Sequence, residues 1–229
     1  MSSYVLVPGG LVGGWIWSGV ADRLREAGHH VVVVERLPSV GPGAVGDLAA
    51  DAEATARTVE GVGEPVVLVG QSYSGMVLTE LADHPAIAHS VYVAALWPQR
   101  GRSALDVTGA TGPPPGWVTL HDDGTVGVVD DLELVRRTLC ADVDARHAYP
   151  YLRRFEPQSV RSLVAPCTAP DPAHPTTYVI CEQDASLAPT TQEEMAAAAD
   201  HRHRHRLPSS HMPMLSMPDA LTDLLRRVH

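Results

Sequence analysis

The chain of 229 residues contains no lysine and no asparagine, and all 17 of its cationic side chains are arginine. Any mechanism that depends on a catalytic lysine or asparagine is therefore excluded. Acidic residues outnumber basic ones, which gives a formal net charge of −10 at neutral pH. Because proteins that bind nucleic acid cluster positive charge against the phosphates, this charge balance argues against a nucleic-acid partner.

Cysteine is also scarce. Cys140, Cys167 and Cys181 form an odd set without the paired spacing of a zinc site. No charged leader with an apolar core precedes the first apolar run at residues 4–7, and no apolar run approaches the ~20 residues of a membrane-spanning helix. We therefore expect a soluble protein of the reducing cytoplasm that binds no metal, cofactor or membrane. The chain is expected to be a monomer or a homodimer.

Apolar runs alternate with amphipathic segments along much of the chain. Strands are predicted at 4–7, 31–34, 66–69, 89–94, 176–181 and 203–207. Helices are predicted at 15–27, 48–59, 76–81, 192–199 and 218–228. This βαβ rhythm is typical of an α/β fold, and it predicts a mostly parallel sheet of about six strands with flanking helices.

The rhythm breaks after Trp97, where a stretch rich in proline and glycine includes the Gly-Pro-Pro-Pro-Gly run at 112–116. Helix-like segments follow near 131–140 and 143–155. An insert of about 70 residues is small for an independent core. We therefore expect a small helical cap at 98–172, inserted into a single α/β domain formed by 1–97 and 173–229. Open α/β sheets bind ligands at the carboxyl ends of their strands, so the cap is expected to shape a substrate pocket there.

Ser72 lies between a β-branched, uncharged run and a helix-like segment, and small residues flank it. This pattern is typical of a nucleophile elbow, a strained strand-to-helix turn that exposes the serine hydroxyl. Gly70 and Ser74 occupy the two small positions. Ser74 departs from the usual G-x-S-x-G pattern, but serine is still small and Gly75 follows. The glycine and serine could also belong to a plain strand-to-helix turn, because a five-residue pattern of this kind often arises by chance. The β-branched, uncharged run before them and the apolar helical stripe after them agree with the elbow.

A serine nucleophile needs a general base, and the base needs a group that orients it. Glu182 and Asp184 follow a predicted strand, so either could supply the acid from a loop at the strand's carboxyl end. We favour Asp184, because Glu182 lies nearer the strand and is less free to turn toward a histidine. His211 follows the last predicted strand and precedes the closing helix. The chain order Ser, Asp, His is typical of elbow-type hydrolases.

Histidine and arginine alternate over residues 201–206, which run into that last predicted strand. His201, His203 and His205 would share one face of a strand and could bind a metal ion. We favour an exposed edge strand instead, because the other face would carry three arginines and a structural site would want a fourth ligand. Alternating charge of this kind discourages edge-to-edge pairing of sheets.

A glycine-rich loop at 8–14 directly follows the first strand. An oxyanion hole in an elbow-type hydrolase uses the amide after the nucleophile and an amide from this loop. Tyr73 and Gly10 are the corresponding residues. The loop also suggests a dinucleotide site with Glu35 as its acidic residue, but its spacing does not match G-x-G-x-x-G. That alternative would also leave the elbow, the acid and the histidine unexplained.

Over essentially its whole length, the chain resembles the α/β-hydrolase superfamily. Within it, the resemblance is to the branch of plant methylesterases, hydroxynitrile lyases and bacterial esterase relatives. The matching segments are 5–10 with Trp15 and Trp17, the elbow, 178–184 with Gln192, and 211–215 with Pro218. The resemblance implies an α/β-hydrolase fold and a role for each matching site residue. It implies Ser72 as nucleophile, His211 as base, Asp184 as orienting acid, and the Gly10 and Tyr73 amides as oxyanion hole.

Some positions depart from the family pattern. Pro8 and Gln71 stand where histidine is usual, although neither position supplies an atom that the mechanism requires. The lyases carry threonine or asparagine where this chain has Gly9, and one class carries lysine where it has Met212. The resemblance therefore favours ester hydrolysis over cyanohydrin cleavage.

We accordingly predict a serine hydrolase that cleaves a small carboxylic ester or lactone through an acyl-enzyme. Leu11, Trp97, Met212 and cap residues at 149–155 could face the substrate and suggest an apolar or aromatic acyl group. These residues could equally belong to the core. Two alternatives remain open: the same triad could serve cyclisation, carbon–carbon cleavage or acyl transfer, or the chain could be a non-catalytic binding protein.

Overall fold

A computed structural model of the chain describes residues 1–109, 112–197 and 203–228. The strands within these residues are β1 (Ser3–Val7), β2 (His30–Val33), β3 (Val66–Gln71), β4 (Ile87–Val93), β5 (Val118–Leu120), β6 (Thr125–Val128), β7 (Gln158–Ser159), β8 (Thr176–Cys181) and β9 (Arg204–Leu207). The helices are α1 (Ser18–Glu26), α2 (Leu48–Val62), α3 (Ser74–Glu80), α4 (Ala104–Thr108), α5 (Leu132–Leu139), α6 (Ala145–Leu152), α7 (Val160–Val164), α8 (Pro189–Ala196), α9 (Pro213–Ser216) and α10 (Pro218–Leu225). A 3₁₀ turn at Gly14–Trp17 leads into α1.

Six strands form the main sheet, in the order β2-β1-β3-β4-β8-β9, and every neighbouring pair runs parallel. The predicted α/β-hydrolase fold with a mostly parallel sheet of about six strands is thereby confirmed. The central strands are buried along their length, as strands covered on both faces by helices must be.

Alternate residues of β1 divide between the two cores that cover the sheet. Val5 and Val7 pack into a core with α2, α3 and α8, whereas Tyr4 and Leu6 pack into a core with α1 and α10. This is the period of two that a strand imposes on its side chains. The core on the α1 side also contains residues of α5 and α6, so the segment between β4 and β8 shares the apolar packing of the sheet.

The segment that we call the insert (residues 98–172) contains more than the helices predicted for it. A second sheet, of order β5-β6-β7, pairs its strands antiparallel. These strands are two to four residues long, and β5 is only partly covered. Such short strands carry too little hydrophobic alternation to stand out in a sequence.

Other predicted boundaries need small corrections. The helix predicted at 15–27 is a 3₁₀ turn followed by α1, and the helix predicted at 192–199 starts earlier, at Pro189. The end of that predicted helix lies outside the described residues, as does His201. Among the described helices, none is long and apolar enough to cross a membrane.

Candidate active site

Backbone strain is concentrated at the carboxyl edge of the main sheet. Among the described residues, the three non-glycine residues with positive φ are Leu11 at 65°, Ser72 at 55° and Ala94 at 41°. They follow β1, β3 and β4, three neighbouring strands of the sheet. Side chains rarely adopt this conformation, and when they do the residues tend to cluster at functional sites. The strain therefore marks this edge as the candidate site.

Ser72 is fixed by its own backbone. Its amide donates to the carbonyl of Val93 at 3.3 Å, and its carbonyl accepts from the amides of Leu96 at 3.0 Å and Gly75 at 3.1 Å. The turn between β3 and α3 is thus anchored to the end of β4. A left-handed residue held this way at a strand-to-helix turn has the conformation of a nucleophile elbow.

The small residues around Ser72 are required by close packing. A Cβ on Gly75 would lie 2.0 Å from the carbonyl oxygen of Leu96, and a Cβ on Gly70 would lie 2.6 Å from Leu78 Cδ1. α3 therefore crosses the end of β4 at a distance that only glycine permits.

Ser74 is bonded as well as small. Its hydroxyl accepts from the amide of Gln71 at 2.7 Å, and it has the carbonyls of Gln71 at 2.9 Å and Val7 at 3.2 Å as acceptors. This departure from the usual glycine therefore adds a polar connection between the elbow and the end of β1. Sequence considerations accounted for the size of Ser74 but not for this connection.

His211 and Asp184 are brought together by the loops after β9 and β8. The His211 Nδ1 atom lies 2.6 Å from Asp184 Oδ2, and both side chains are almost completely buried. Glu182, the other acid considered, pairs instead with Arg206 at 3.7 Å on the surface. A buried carboxylate on Nδ1 orients the imidazole and favours the tautomer whose Nε2 can accept a proton.

The Asp184 carboxylate is itself held by several donors. Its Oδ1 accepts from the amides of Ser186 at 2.8 Å and Leu187 at 2.9 Å, and its Oδ2 accepts from the Gln192 side chain at 2.8 Å. Gln192 also accepts from the amide of Cys181 at 2.9 Å and donates to Leu187. The sequence marked Gln192 only as a match to the family, whereas the structure makes it the side chain that fixes the acid.

Gln71 performs a similar task for the histidine. Its side-chain amide donates to the main-chain carbonyl of His211 at 3.0 Å. A Cβ on Gly9 would lie 2.6 Å from Gln71 Oε1, so the glycine leaves room for this side chain. No local pattern in the sequence predicts this positioning contact, because it spans 140 residues.

The two candidate oxyanion donors are neighbours. A Cβ on Gly10 would lie 3.3 Å from Tyr73 Cβ and 2.3 Å from the side-chain oxygen of Gln158. Gly10 is thus enclosed between the elbow and the insert. The next residue, Leu11, accepts a hydrogen bond on its carbonyl from the amide of Glu156 at 2.9 Å. The insert therefore directly contacts the loop that carries Gly10 and Leu11.

The three candidate substrate-binding residues lie in different surroundings. Leu11 belongs to the strained loop beside Gly10, whereas Met212 is buried in the core with α1 and α10. Trp97 stacks on Tyr92, with ring centroids 4.5 Å apart and planes at 5°. Trp97 also borders a pocket of about 670 Å³ whose other lining residues are Gln99, Arg100, Asp171, Pro172 and Thr176. That lining contains none of the candidate triad.

A second pocket of about 400 Å³ lies near the loop that carries Gly10 and Leu11, and its lining also contains none of the candidate triad. It is lined by Trp15, Arg153, Arg154, Phe155 and Glu156, the last of which bonds to Leu11. Trp15 stacks on Tyr151 with centroids 6.0 Å apart, and the Arg154 guanidinium lies 4.3 Å from the centre of the Trp15 ring. Aromatic side chains from the core and from the insert therefore meet beside the candidate site.

The alternating histidines show no metal-binding arrangement in the part of the chain that is described. No group of three histidine, cysteine, aspartate or glutamate side chains there could hold a metal ion. His203 packs its ring against His89 at 5.7 Å. Burial, with smaller effects of His203 and Arg227, lowers the pKa of His205. His201 lies outside the described residues.

Comparison with known proteins finds matches over nearly the whole chain. The family model described as the alpha/beta hydrolase family matches residues 4–224. The alpha/beta hydrolase nvfD of Aspergillus novofumigatus is 28% identical over 241 residues, which cover 97% of this chain and 94% of the relative. A carbendazim-hydrolysing esterase of a Nocardioides species is 36% identical over 124 residues, which cover half of each protein.

Solved structures show the same fold. A pyrethroid hydrolase from Sphingobium faniae superposes with a TM-score of 0.85 at 22% identity, covering 98% of this chain and 96% of that one. The methylesterase MES16 from Arabidopsis, with a TM-score of 0.79 at 20% identity, covers 99% of this chain and 98% of its own. The neighbours therefore include both plant methylesterases and bacterial hydrolases.

Proposed function

This chain belongs to the α/β-hydrolase family, and from that membership we propose that it cleaves a small carboxylic ester or lactone through Ser72, His211 and Asp184. The observation that carries the proposal is the buried His211–Asp184 hydrogen bond of 2.6 Å in a chain whose Ser72 has the strained conformation of an elbow. Esterases and hydrolases among its relatives support the same class of reaction.

The proposed reaction begins when Ser72 Oγ attacks the ester carbonyl and His211 Nε2 takes its proton. The carbonyl oxygen becomes an oxyanion, which the amides of Gly10 and Tyr73 stabilise. His211 then gives the proton to the leaving alkoxide, and the acyl group remains on Ser72. A water molecule, deprotonated by His211, attacks the acyl-enzyme, and collapse of the second tetrahedral intermediate releases the acid and restores Ser72.

The aromatic residues near Leu11 support a substrate with an apolar or aromatic group, at a pocket whose lining also includes Arg153, Arg154 and Glu156. Trp15, Tyr151 and Phe155 form a cluster there, with the Phe155 ring 6.4 Å from that of Trp15. In this proposal the insert acts as a cap that selects the substrate, while the loops of the sheet perform the chemistry. A panel of methyl and p-nitrophenyl esters of acetic, hexanoic and benzoic acids tests this preference, and a preference for acetate would contradict it.

The experiment that tests the triad is active-site labelling with a fluorophosphonate, read by intact mass. We expect one adduct on the native protein and none on Ser72→Ala. Ser74→Gly is the matched control, because it removes a serine hydroxyl two residues away and restores the usual glycine; it should still be labelled. Turnover of the best ester should fall by roughly 10⁴-fold or more in Ser72→Ala, since triad members act as a unit.

The outcomes separate the candidate functions. A Ser72→Ala variant that kept most of its ester turnover would contradict the assignment of Ser72, His211 and Asp184 as a catalytic triad. An adduct without turnover of any ester would instead favour the same triad used for acyl transfer, cyclisation or carbon–carbon cleavage. Absence of any adduct would favour a non-catalytic binding protein.

A further inference from the structure

A buried carboxylate lies behind the elbow. Asp51, on α2, is completely buried, and no ion pair to it occurs among the described residues. Its oxygens accept from the amide of Ser39 at 2.8 Å, the hydroxyl of Ser39 at 2.6 Å and the hydroxyl of Tyr73 at 2.8 Å. Burial raises the pKa of Asp51, and the donors from Ser39 and Tyr73 oppose that rise.

Tyr73 connects this carboxylate to the candidate site. The residue directly follows Ser72 and precedes α3. Its amide is therefore among the first N–H groups of the helix, which have no carbonyl acceptor within the helix itself. That amide is the proposed oxyanion donor. The side chain of the same residue is buried, and its hydroxyl is bonded to Asp51. The backbone that carries the amide is therefore constrained through its own side chain.

The same polar network continues into the insert. The carbonyl of Ser39 accepts from the amide of Ser159 at 2.8 Å. The Gln158 side chain donates to the hydroxyl of Ser162 at 2.9 Å, and its oxygen faces Gly10. Ser162 in turn donates to the carbonyl of Ser159 at 2.8 Å. One buried network thus approaches both candidate oxyanion donors, Tyr73 through a side chain and Gly10 through Gln158.

We propose that Asp51 is a positioning residue for the oxyanion hole, acting through the Tyr73 hydroxyl to hold the Tyr73 amide in place. This inference rests on the proposed function. An oxyanion donor is effective only when it lies about 3 Å from the developing charge, and a displacement of about 1 Å can cost roughly 100-fold in rate. Asp51 itself contacts no reacting atom.

Tyr73→Phe tests the connection with the smallest change, because it removes one hydroxyl and keeps the ring. Tyr4→Phe is the matched control: Tyr4 is also fully buried, its hydroxyl donates to the carbonyl of Leu225 at 3.0 Å, and it lies toward the amino end of β1. We expect both variants to melt a few degrees lower, since each loses one buried hydrogen bond.

Turnover should distinguish the two variants. For Tyr73→Phe we expect kcat to fall about 10-fold with KM changed less than about 2-fold, because a misplaced oxyanion donor weakens binding of the transition state and not of the ester. For Tyr4→Phe both constants should stay within about 2-fold. The affinity for a trifluoromethyl ketone, which forms an oxyanion on Ser72, should fall in Tyr73→Phe in parallel with kcat/KM.

Asp51→Asn completes a double-mutant cycle. Once the Tyr73 hydroxyl is gone, replacing Asp51 should lower kcat by less than about 2-fold further, because Asp51 acts through that hydroxyl. If Asp51→Asn does not fold, the difference in kcat between Tyr73→Phe and Tyr4→Phe is sufficient to test the proposal. The proposal is overturned if kcat of Tyr73→Phe matches that of Tyr4→Phe, or if only KM changes. Loss of turnover in Ser72→Ala together with either result would leave the proposed function intact.

Discussion

The elbow and the insert contact the loops of the candidate site by different means. Around Ser72, backbone hydrogen bonds to β4 and glycine-limited packing leave the turn a single conformation. The insert reaches the neighbouring loops mainly through individual polar contacts, from Asp142 to Ser210 and from Glu156 to Leu11. At these loops the elbow is fixed by close packing, whereas the insert is attached through single hydrogen bonds. Elsewhere the insert shares the apolar cores that cover the sheet.

In the proposed function, this difference separates the loops that would perform the reaction from the insert that would select the substrate. Close-packed backbone tolerates almost no change, so the loops of the sheet can hold a nucleophile and its partners to within fractions of an ångström. A region attached by single hydrogen bonds can change its side chains at a cost of about 1 kcal/mol each. We therefore expect atoms added at the glycines packed around Ser72 to destabilise the protein strongly, and substitutions in the insert to change stability or turnover by smaller amounts.

Gly75→Ala should give the largest effect. Its Cβ would lie 2.0 Å from the carbonyl oxygen of Leu96, which is backbone and cannot move aside without shifting β4. We expect the free energy of unfolding to fall by about 3 kcal/mol or more. Urea unfolding followed by circular dichroism measures this loss, and ester turnover of the remaining folded protein should fall as well.

Gly127→Ala is the counterpart in the insert. Its Cβ would meet the ring of His121 at 3.0 Å, and His121 is an exposed side chain that can turn away. The free energy of unfolding should change by less than about 1 kcal/mol. If Gly75→Ala and Gly127→Ala lowered the free energy of unfolding by the same amount, the elbow would be no more tightly packed than the insert.

Asp142→Ala tests an attachment point and should give a smaller effect. The Asp142 carboxylate accepts from the amide of Ser210 at 3.0 Å and from its hydroxyl, and Ser210 directly precedes His211. Without it, the loop that carries the proposed base loses one of its supports, and we expect kcat to fall about 10-fold. Steady-state kinetics with the best ester of the panel measures the change.

Asp144→Ala is the control for that prediction, because it removes a carboxylate two residues away. Asp144 caps α6 by accepting from the amide of Arg146 at 2.9 Å. Its loss should cost about 1 kcal/mol of unfolding free energy and leave kcat unchanged. A kcat that falls equally in both variants would mean that the insert acts through its overall stability and not through Ser210.

The same division explains what could be predicted from sequence. The parallel sheet follows from apolar runs of the right length, and the position of Ser72 follows from the strand, glycine and helix around it, all within about ten residues. Asp184 was favoured from its place on a loop, and it is the acid that the structure puts beside His211. Each of these inferences uses a local pattern.

Contacts between distant segments left no such pattern. The bond from Gln71 to the carbonyl of His211 spans 140 residues, and that from Tyr73 to Asp51 spans 22. In the insert, β5 is three residues long with Leu120 mostly exposed, so its sequence shows no buried face. α4 was not predicted, although Ser103 and Asp106 form a capping box, which is a signal of a helix start that can be read in the sequence.

Labelling of the three cysteines is expected to be negligible in the native protein. Followed during unfolding, it tests whether the insert unfolds separately from the sheet. Cys140 and Cys167 lie in the insert and Cys181 lies on β8; burial raises the pKa of all three thiols to about 12. At pH 8 only about one thiol in 10⁴ is then a thiolate, so iodoacetamide should label none of them in the native protein.

As urea is added, we expect the three cysteines to become reactive together. Cys140 shares a core with strand residues such as Val179, and Cys167 shares one with Tyr178, so exposing either thiol requires opening the packing of the sheet itself. Mass spectrometry of each labelled peptide follows this directly. Labelling of Cys140 and Cys167 at a lower urea concentration than Cys181 would show that the insert unfolds before the sheet. The apolar packing between the insert and the sheet would then contribute little to holding the two together.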